Sequence, residues 1–104
     1  MFPPPLYIIL DMQFASKPFE SLLEIFANAG AGWVQLREKQ ATSKTFFESA
    51  QVFVSLCRRY GLTAIINDRV DIALLTDADG VHLGQDDLPV EEARKLLGPN
   101  KIVG

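Results

Sequence analysis

A chain of 104 residues with 48% hydrophobic side chains supports one core and one domain over residues 1–104, and it excludes a disordered chain. The net charge of −3 argues against a nucleic-acid surface, which needs clustered positive charge. Cys57 is the single cysteine, so no internal disulfide forms, which fits a reducing, cytoplasmic setting.

Met1-Phe2-Pro3-Pro4-Pro5 carries neither the basic start nor the apolar stretch of a signal peptide. No apolar run reaches the ~18–20 residues that a membrane helix needs. Pro3-Pro4-Pro5 reads as a stiff extended lead-in. Leu6-Tyr7-Ile8-Ile9-Leu10 is nearly all apolar, the pattern of a strand buried on both faces, and Asp11-Met12-Gln13 leaves it as a loop. Pro18, with Ser16 or Lys17 before it, suits the first turn of a helix. Phe19, Leu22, Leu23, Phe26 and Ala27 then recur at helical spacing, and Asn28-Ala29-Gly30 closes the run.

Trp33-Val34-Gln35-Leu36-Arg37-Glu38-Lys39 follows with a period of two. Val34, Leu36 and Glu38 fall on one face, where Glu38 supports the outside of the strand; Gln35, Arg37 and Lys39 fall on the other. One short stretch thus points an amide, a guanidinium and an ammonium the same way, a set suited to phosphate or pyrophosphate. Thr42 or Ser43 caps a second helix, whose apolar side is Phe46, Phe47, Ala50, Val54 and Cys57 and whose stop is Gly61. Cys57 reads as packing, and Arg58-Arg59 complement the negative end of that helix's dipole.

Thr63-Ala64-Ile65-Ile66 is another buried strand, running into Asn67-Asp68-Arg69, where Arg69 forms a surface pair. The short helix Val70–Thr76 comes next, with Asp68 as its cap on the plainer reading. Asp79-Gly80 reads as a turn before the short strand Val81-His82-Leu83, which leads to Gly84-Gln85-Asp86-Asp87. On the plainer reading Asp86-Asp87 makes a turn and helix cap, and His82, sharing a face with Gly84, is a hydrogen-bonded strand residue. Pro89 opens a helix through Leu97 that Gly98-Pro99 ends, and Lys101-Ile102-Val103-Gly104 starts one more strand.

Apolar strands alternating with amphipathic helices predict an α/β fold with a parallel sheet and right-handed crossovers. Units of roughly 25 residues match one eighth of a TIM (β/α)8-barrel, so the chain reads as four βα units and the start of strand 5, a half barrel. A doubly wound sheet of the dinucleotide type would want a glycine-rich turn after the first strand, where this sequence has Asp11-Met12-Gln13. Polar groups instead sit after three successive strands: Gln35/Arg37/Lys39, Asn67/Asp68 and Gln85/Asp86/Asp87. The carboxyl ends of parallel barrel strands are the catalytic rim. Carboxylates gathered there repel unless a cation lies between them. Mg2+ held by Asp68 and Asp87 and by substrate phosphate oxygens fits, with Arg37 and Lys39 neutralising the remaining oxygens of a diphosphate leaving group.

Four motifs, Leu6-Tyr7-Ile8-Ile9-Leu10-Asp11, Val34-Gln35-Leu36-Arg37-Glu38-Lys39, Ile65-Ile66-Asn67-Asp68-Arg69 and Ala78-Asp79-Gly80-Val81-His82-Leu83-Gly84-Gln85-Asp86-Asp87, resemble thiamine-phosphate synthase, also called thiamine-phosphate pyrophosphorylase. Ile102-Val103-Gly104 is similar to the opening of that family's next strand. The resemblance implies a TIM barrel that joins hydroxymethylpyrimidine diphosphate to a thiazole phosphate, releasing pyrophosphate and giving thiamine phosphate. It implies that Gln35, Arg37, Lys39 and Asn67 contact the pyrimidine diphosphate, that Arg37 and Lys39 serve the chemistry, and that Asp68 and Asp87 bind Mg2+. It implies a dissociative reaction with no general base. A thiazole tautomerase on the same fold is the nearest competitor; Gln35-x-Arg37-x-Lys39 with Gly84-Gln85-Asp86-Asp87 favours the synthase.

The family's barrel needs about twice this length. Its serine/threonine loop after the fifth strand, a later lysine and a glycine-rich phosphate site have no counterpart here, which leaves the thiazole phosphate without a site. The expectation is an isolated chain without turnover, a homodimer that buries the half-barrel edges, and, as the non-enzymatic alternative, a diphosphate-binding or structural fragment.

Overall fold

The computed structural model describes residues 6–12 and 18–104. The expectations for Pro3–Pro5, Gln13, Ser16 and Lys17 lie outside the described residues. Nine elements alternate along the chain: β1 (Tyr7–Asp11), α1 (Phe19–Asn28), β2 (Trp33–Arg37), α2 (Ser43–Tyr60), β3 (Thr63–Asn67), α3 (Val70–Thr76), β4 (Gly80–His82), α4 (Val90–Leu97) and β5 (Ile102–Val103). The strands form one parallel sheet in the order β1-β2-β3-β4-β5. Spatial order equals sequence order, and consecutive helices pack on one another. That is a singly wound sheet; the doubly wound alternative would reverse direction partway across.

The helices cover one face. Val34 and Leu36 of β2, Ala64 and Ile66 of β3 and Val81 of β4 point into a core shared with Leu23, Phe53, Cys57, Ile72 and Ala93. Each strand residue alternates with one on the opposite face. α2 is long because Thr42 starts it, accepting a hydrogen bond from the Thr45 N–H at 3.1 Å, and Gly61 stops it at φ +71. Cys57 is fully enclosed; burial, then the nearby Asp79 carboxylate, push its thiol up to about 12, so it packs as an apolar group. Arg58 pairs with Asp77, Arg59 with Glu20 and Arg69 with Asp71 at 2.7 Å.

Several expectations change. β1 is not buried on both faces: Leu10 is enclosed, but Ile9 is 59% exposed and Tyr7 43%, because the face they point to carries no helix. Gly80 is the first residue of β4 rather than part of a turn. A Cβ there would overlap the Ile102 backbone, so glycine lets β5 close onto β4. Pro18 and Pro89 each sit one residue before their helix, with ψ 152 and 146. Asp79, read as a turn residue, accepts a hydrogen bond from the Ala64 N–H at 2.7 Å on its carboxylate, while its own N–H donates to the Ala64 carbonyl at 2.9 Å. It thereby fastens the approach to β4 onto β3.

Candidate functional site

The uncovered face of the sheet and the loops after its strands enclose a cavity of about 560 Å3. β1 contributes Tyr7 and Ile9, β2 contributes Gln35 and Arg37, β3 contributes Asn67, and β4 contributes His82. Lys39, Asp68 and the segment Gly84–Asp87 enter from the loops beyond the strand ends. All six residues singled out in the sequence, Gln35, Arg37, Lys39, Asn67, Asp68 and Asp87, therefore line one space. Alternation explains the first half of this: Gln35 and Arg37 share a face because they are two apart on one strand. Parallel pairing explains the second: it brings every strand's carboxyl end to the same edge.

The floor is neutral and buried. Gln35 and Asn67 are 3% and 5% exposed, and the burial is satisfied internally. Asn67 Nδ2 donates to Gln35 Oε1 at 2.8 Å, and Gln35 Nε2 donates to the Tyr7 hydroxyl oxygen at 3.1 Å.

The rim is charged. Arg37 Nε lies 3.3 Å from Asp11 Oδ2, its partner in the β1–β2 register. That contact engages one of five guanidinium donors. Lys39 Nζ donates to Asp68 Oδ2. Asp68 does not cap α3. The residue before α3 is Arg69, without a side-chain cap, and Asp68 has φ +67, with its N–H donating to the His82 carbonyl at 2.7 Å. That conformation turns the carboxylate toward Lys39. Burial alone would raise the Asp68 pKa; hydrogen bonds with Lys39 and Asp87 and the charges of Lys39 and Arg37 outweigh it and hold the carboxyl below its ordinary value. Asp87 does make the local turn expected of it, accepting from the Gly84 N–H at 2.7 Å, but neither Asp86 nor Asp87 caps α4, which Pro89 precedes without a side-chain cap. A Cβ on Gly84 would stand 3.0 Å from that same oxygen, so a side chain there would crowd the carboxylate.

Asp68 and Asp87 line the same space, and two carboxylates gathered there are relieved by a divalent cation. Among the described residues no group of three or more His, Cys, Asp or Glu gathers for a metal. The donor set is two carboxylates, which fits Mg2+ completed by water and phosphate oxygens rather than an all-protein cage.

Sequence reasoning missed two participants, Tyr7 and Asp11, and set a third, His82, aside on the plainer reading. Tyr7 was hidden inside an apolar run. Asp11 ends β1 as Arg37 ends β2, an equivalence that was available as a signal. His82 ends β4 opposite Asn67 and lines the cavity. Glu38 lies on the helix side as expected, yet its Oε2 is enclosed without a partner. Burial raises its pKa, with a hydrogen bond from Ser49 opposing.

Residues 6–104 match the protein family described as Thiamine monophosphate synthase. A thiamine-phosphate synthase from Persephonella marina is 48% identical over 100 residues, covering 95% of this chain and 48% of the relative. The same enzyme from Clostridioides difficile gives the same figures, and a chloroplastic thiamine biosynthetic bifunctional enzyme from Arabidopsis thaliana is 46% identical over 102 residues, 20% of its length. The chain spans about half the length of the two synthases. A solved thiamine phosphate pyrophosphorylase from Pyrococcus furiosus superposes with a TM-score of 0.79 at 34% identity, over 93% of this chain and 46% of the other. No helix among the described residues is long and apolar enough to cross a membrane.

Proposed function

The chain belongs to the thiamine monophosphate synthase family, and on that premise we propose that its cavity binds hydroxymethylpyrimidine diphosphate and serves the step in which pyrophosphate leaves. One observation carries the reading: Arg37 and Lys39 share a 560 Å3 cavity with the adjoining carboxylates Asp68 and Asp87, above a neutral amide floor. Asp68 and Asp87 would hold Mg2+, which supplies charge neutralisation to the diphosphate when bound.

The chain's own residues then divide the work. Arg37 offers its guanidinium to the diphosphate oxygens as a fork. Lys39, paired with Asp68 in the structure, exchanges that carboxylate for a phosphate oxygen. Both stabilise charge that grows on the leaving group as the C–O bond breaks and its electron pair departs with pyrophosphate. Gln35 and Asn67 hold the pyrimidine ring while the thiazole nitrogen supplies the electron pair for the new C–N bond. No side chain has to take up a proton in this scheme.

In this reading the sheet is four βα units of a TIM barrel, with a fifth strand begun, in a cytoplasmic enzyme acting on small molecules. The singly wound order and the helices on one face support that architecture. β1 and β5 are the sheet's edges among the described residues, and Ile9 stands exposed on its open face. A homodimer that pairs those edges would cover both, and light scattering of the purified chain should return twice the monomer mass. The relatives' names favour a synthase over a tautomerase.

The test is calorimetry on this polypeptide with magnesium and pyrophosphate, beside a product assay. Magnesium-dependent binding without turnover is the expected result. Absence of binding would overturn the proposal, and product formation would overturn the assignment of this chain to the diphosphate step alone.

A further inference from the structure

The neutral floor contains one group that neither the charge pattern nor the resemblance assigned. Tyr7 is not opposite Gln35: its partner in the sheet is Trp33, and the partner of Gln35 is Ile9. The phenol reaches Gln35 diagonally across the open face. Its ring is steadied edge-on against Trp33, with centroids 5.5 Å apart and planes at 65°.

The consequence lies in the Gln35 amide. Its oxygen and nitrogen ends have nearly the same shape, so only their partners decide which end points where. Asn67 Nδ2 takes the oxygen end and the Tyr7 hydroxyl oxygen takes the nitrogen end. Without the hydroxyl, the nitrogen end loses its partner, and the amide is held from one side alone. Gln35 and Arg37 are two residues apart on one face, about 7 Å along the strand. That is the span of a six-membered ring joined to a phosphate through one CH2–O link. The floor therefore reads the ring end of such a ligand, and the rim reads its phosphates.

We propose that Tyr7 is a positioning residue that fixes the orientation of the Gln35 amide and through it the recognition of the heterocyclic end of the substrate. The inference rests on the diphosphate reading above but concerns the opposite end of the ligand. Tyr7→Phe keeps the ring against Trp33 and removes only the hydroxyl, so the variant should fold, as a circular-dichroism melt would verify.

Calorimetry then compares two ligands in the presence of magnesium: hydroxymethylpyrimidine diphosphate and bare pyrophosphate. Tyr7→Phe should weaken the first about tenfold and the second less than twofold. In a Gln35→Ala background the same change should cost less than twofold on either ligand, since Tyr7 acts through that amide. Equal weakening of both ligands, no weakening of the first, or a full further tenfold loss in the Gln35→Ala background would overturn the inference. If the wild-type chain fails to bind even pyrophosphate, the functional reading itself fails, and this inference with it; wild-type binding that Tyr7→Phe leaves unchanged defeats the inference alone.

Discussion

The two faces of the sheet are built from the same strands and have opposite characters. On the helix side, Val34, Leu36 and Ile66 are wholly enclosed, and their neighbours are other apolar side chains. On the open side, Ile9 stands 59% exposed, Gln35 and Asn67 satisfy one another, and charges crowd the rim. A period of two writes both faces into one strand, so adjacent residues belong to different problems. The covered face holds the fold together. The open face is free to carry groups that would be costly in a core.

Four substitutions sharpen or break that division. Leu36→Ala should have the largest effect, about 3 kcal/mol lost in a urea titration, because it opens a cavity among fully packed neighbours. A loss below about 1 kcal/mol would mean that the helix-side core is loosely packed. Gly80→Ala should cost about 2 kcal/mol, since its methyl group meets the Ile102 backbone and must push β5 from β4. Arg37→Ala belongs to the other face: stability should shift by at most about 0.5 kcal/mol, while pyrophosphate affinity falls tenfold or more. The reverse pattern would make Arg37 structural.

Glu38→Gln tests the boundary between the faces and should have the smallest effect. Burial raises the Glu38 pKa above 4.5, so the folded state binds that proton more tightly than the unfolded chain does. The folded form is therefore penalised as pH climbs past 4.5 and through the raised value, and fully so beyond it. Removing the charge should raise stability at neutral pH and leave it unchanged below the ordinary carboxylate range. Thermal melts of both proteins across pH would separate this from a pH-independent packing effect.

Much of the architecture is legible in the sequence, for a local reason. Trp33–Arg37 alternates every second residue, and the inward side of α2 follows a 3.6-residue period, so each segment announces its own geometry. The cation set is legible on the same ground, because Gln35, Arg37 and Lys39 share one stretch. What escaped depends on distant partners. Tyr7 and Ile9 read as core, because a run of apolar residues does not say which of its faces a helix covers. Gly80 read as a turn because its need for glycine comes from Ile102, more than twenty positions away. Asp79 and Asp11 act across the sheet, on Ala64 and Arg37. Asp68 looked like a helix cap until its left-handed backbone placed it elsewhere.

That backbone has a practical consequence. An L-residue at φ +67 is strained unless its side chain is of the asparagine or aspartate type, and here the amide is clamped to the end of β4 as well. The carboxylate is thus aimed by its main chain more than by its own torsions. Asp68→Asn can therefore erase one negative charge while leaving the scaffold in register. Electrostatics and shape become separate experimental variables at a single position.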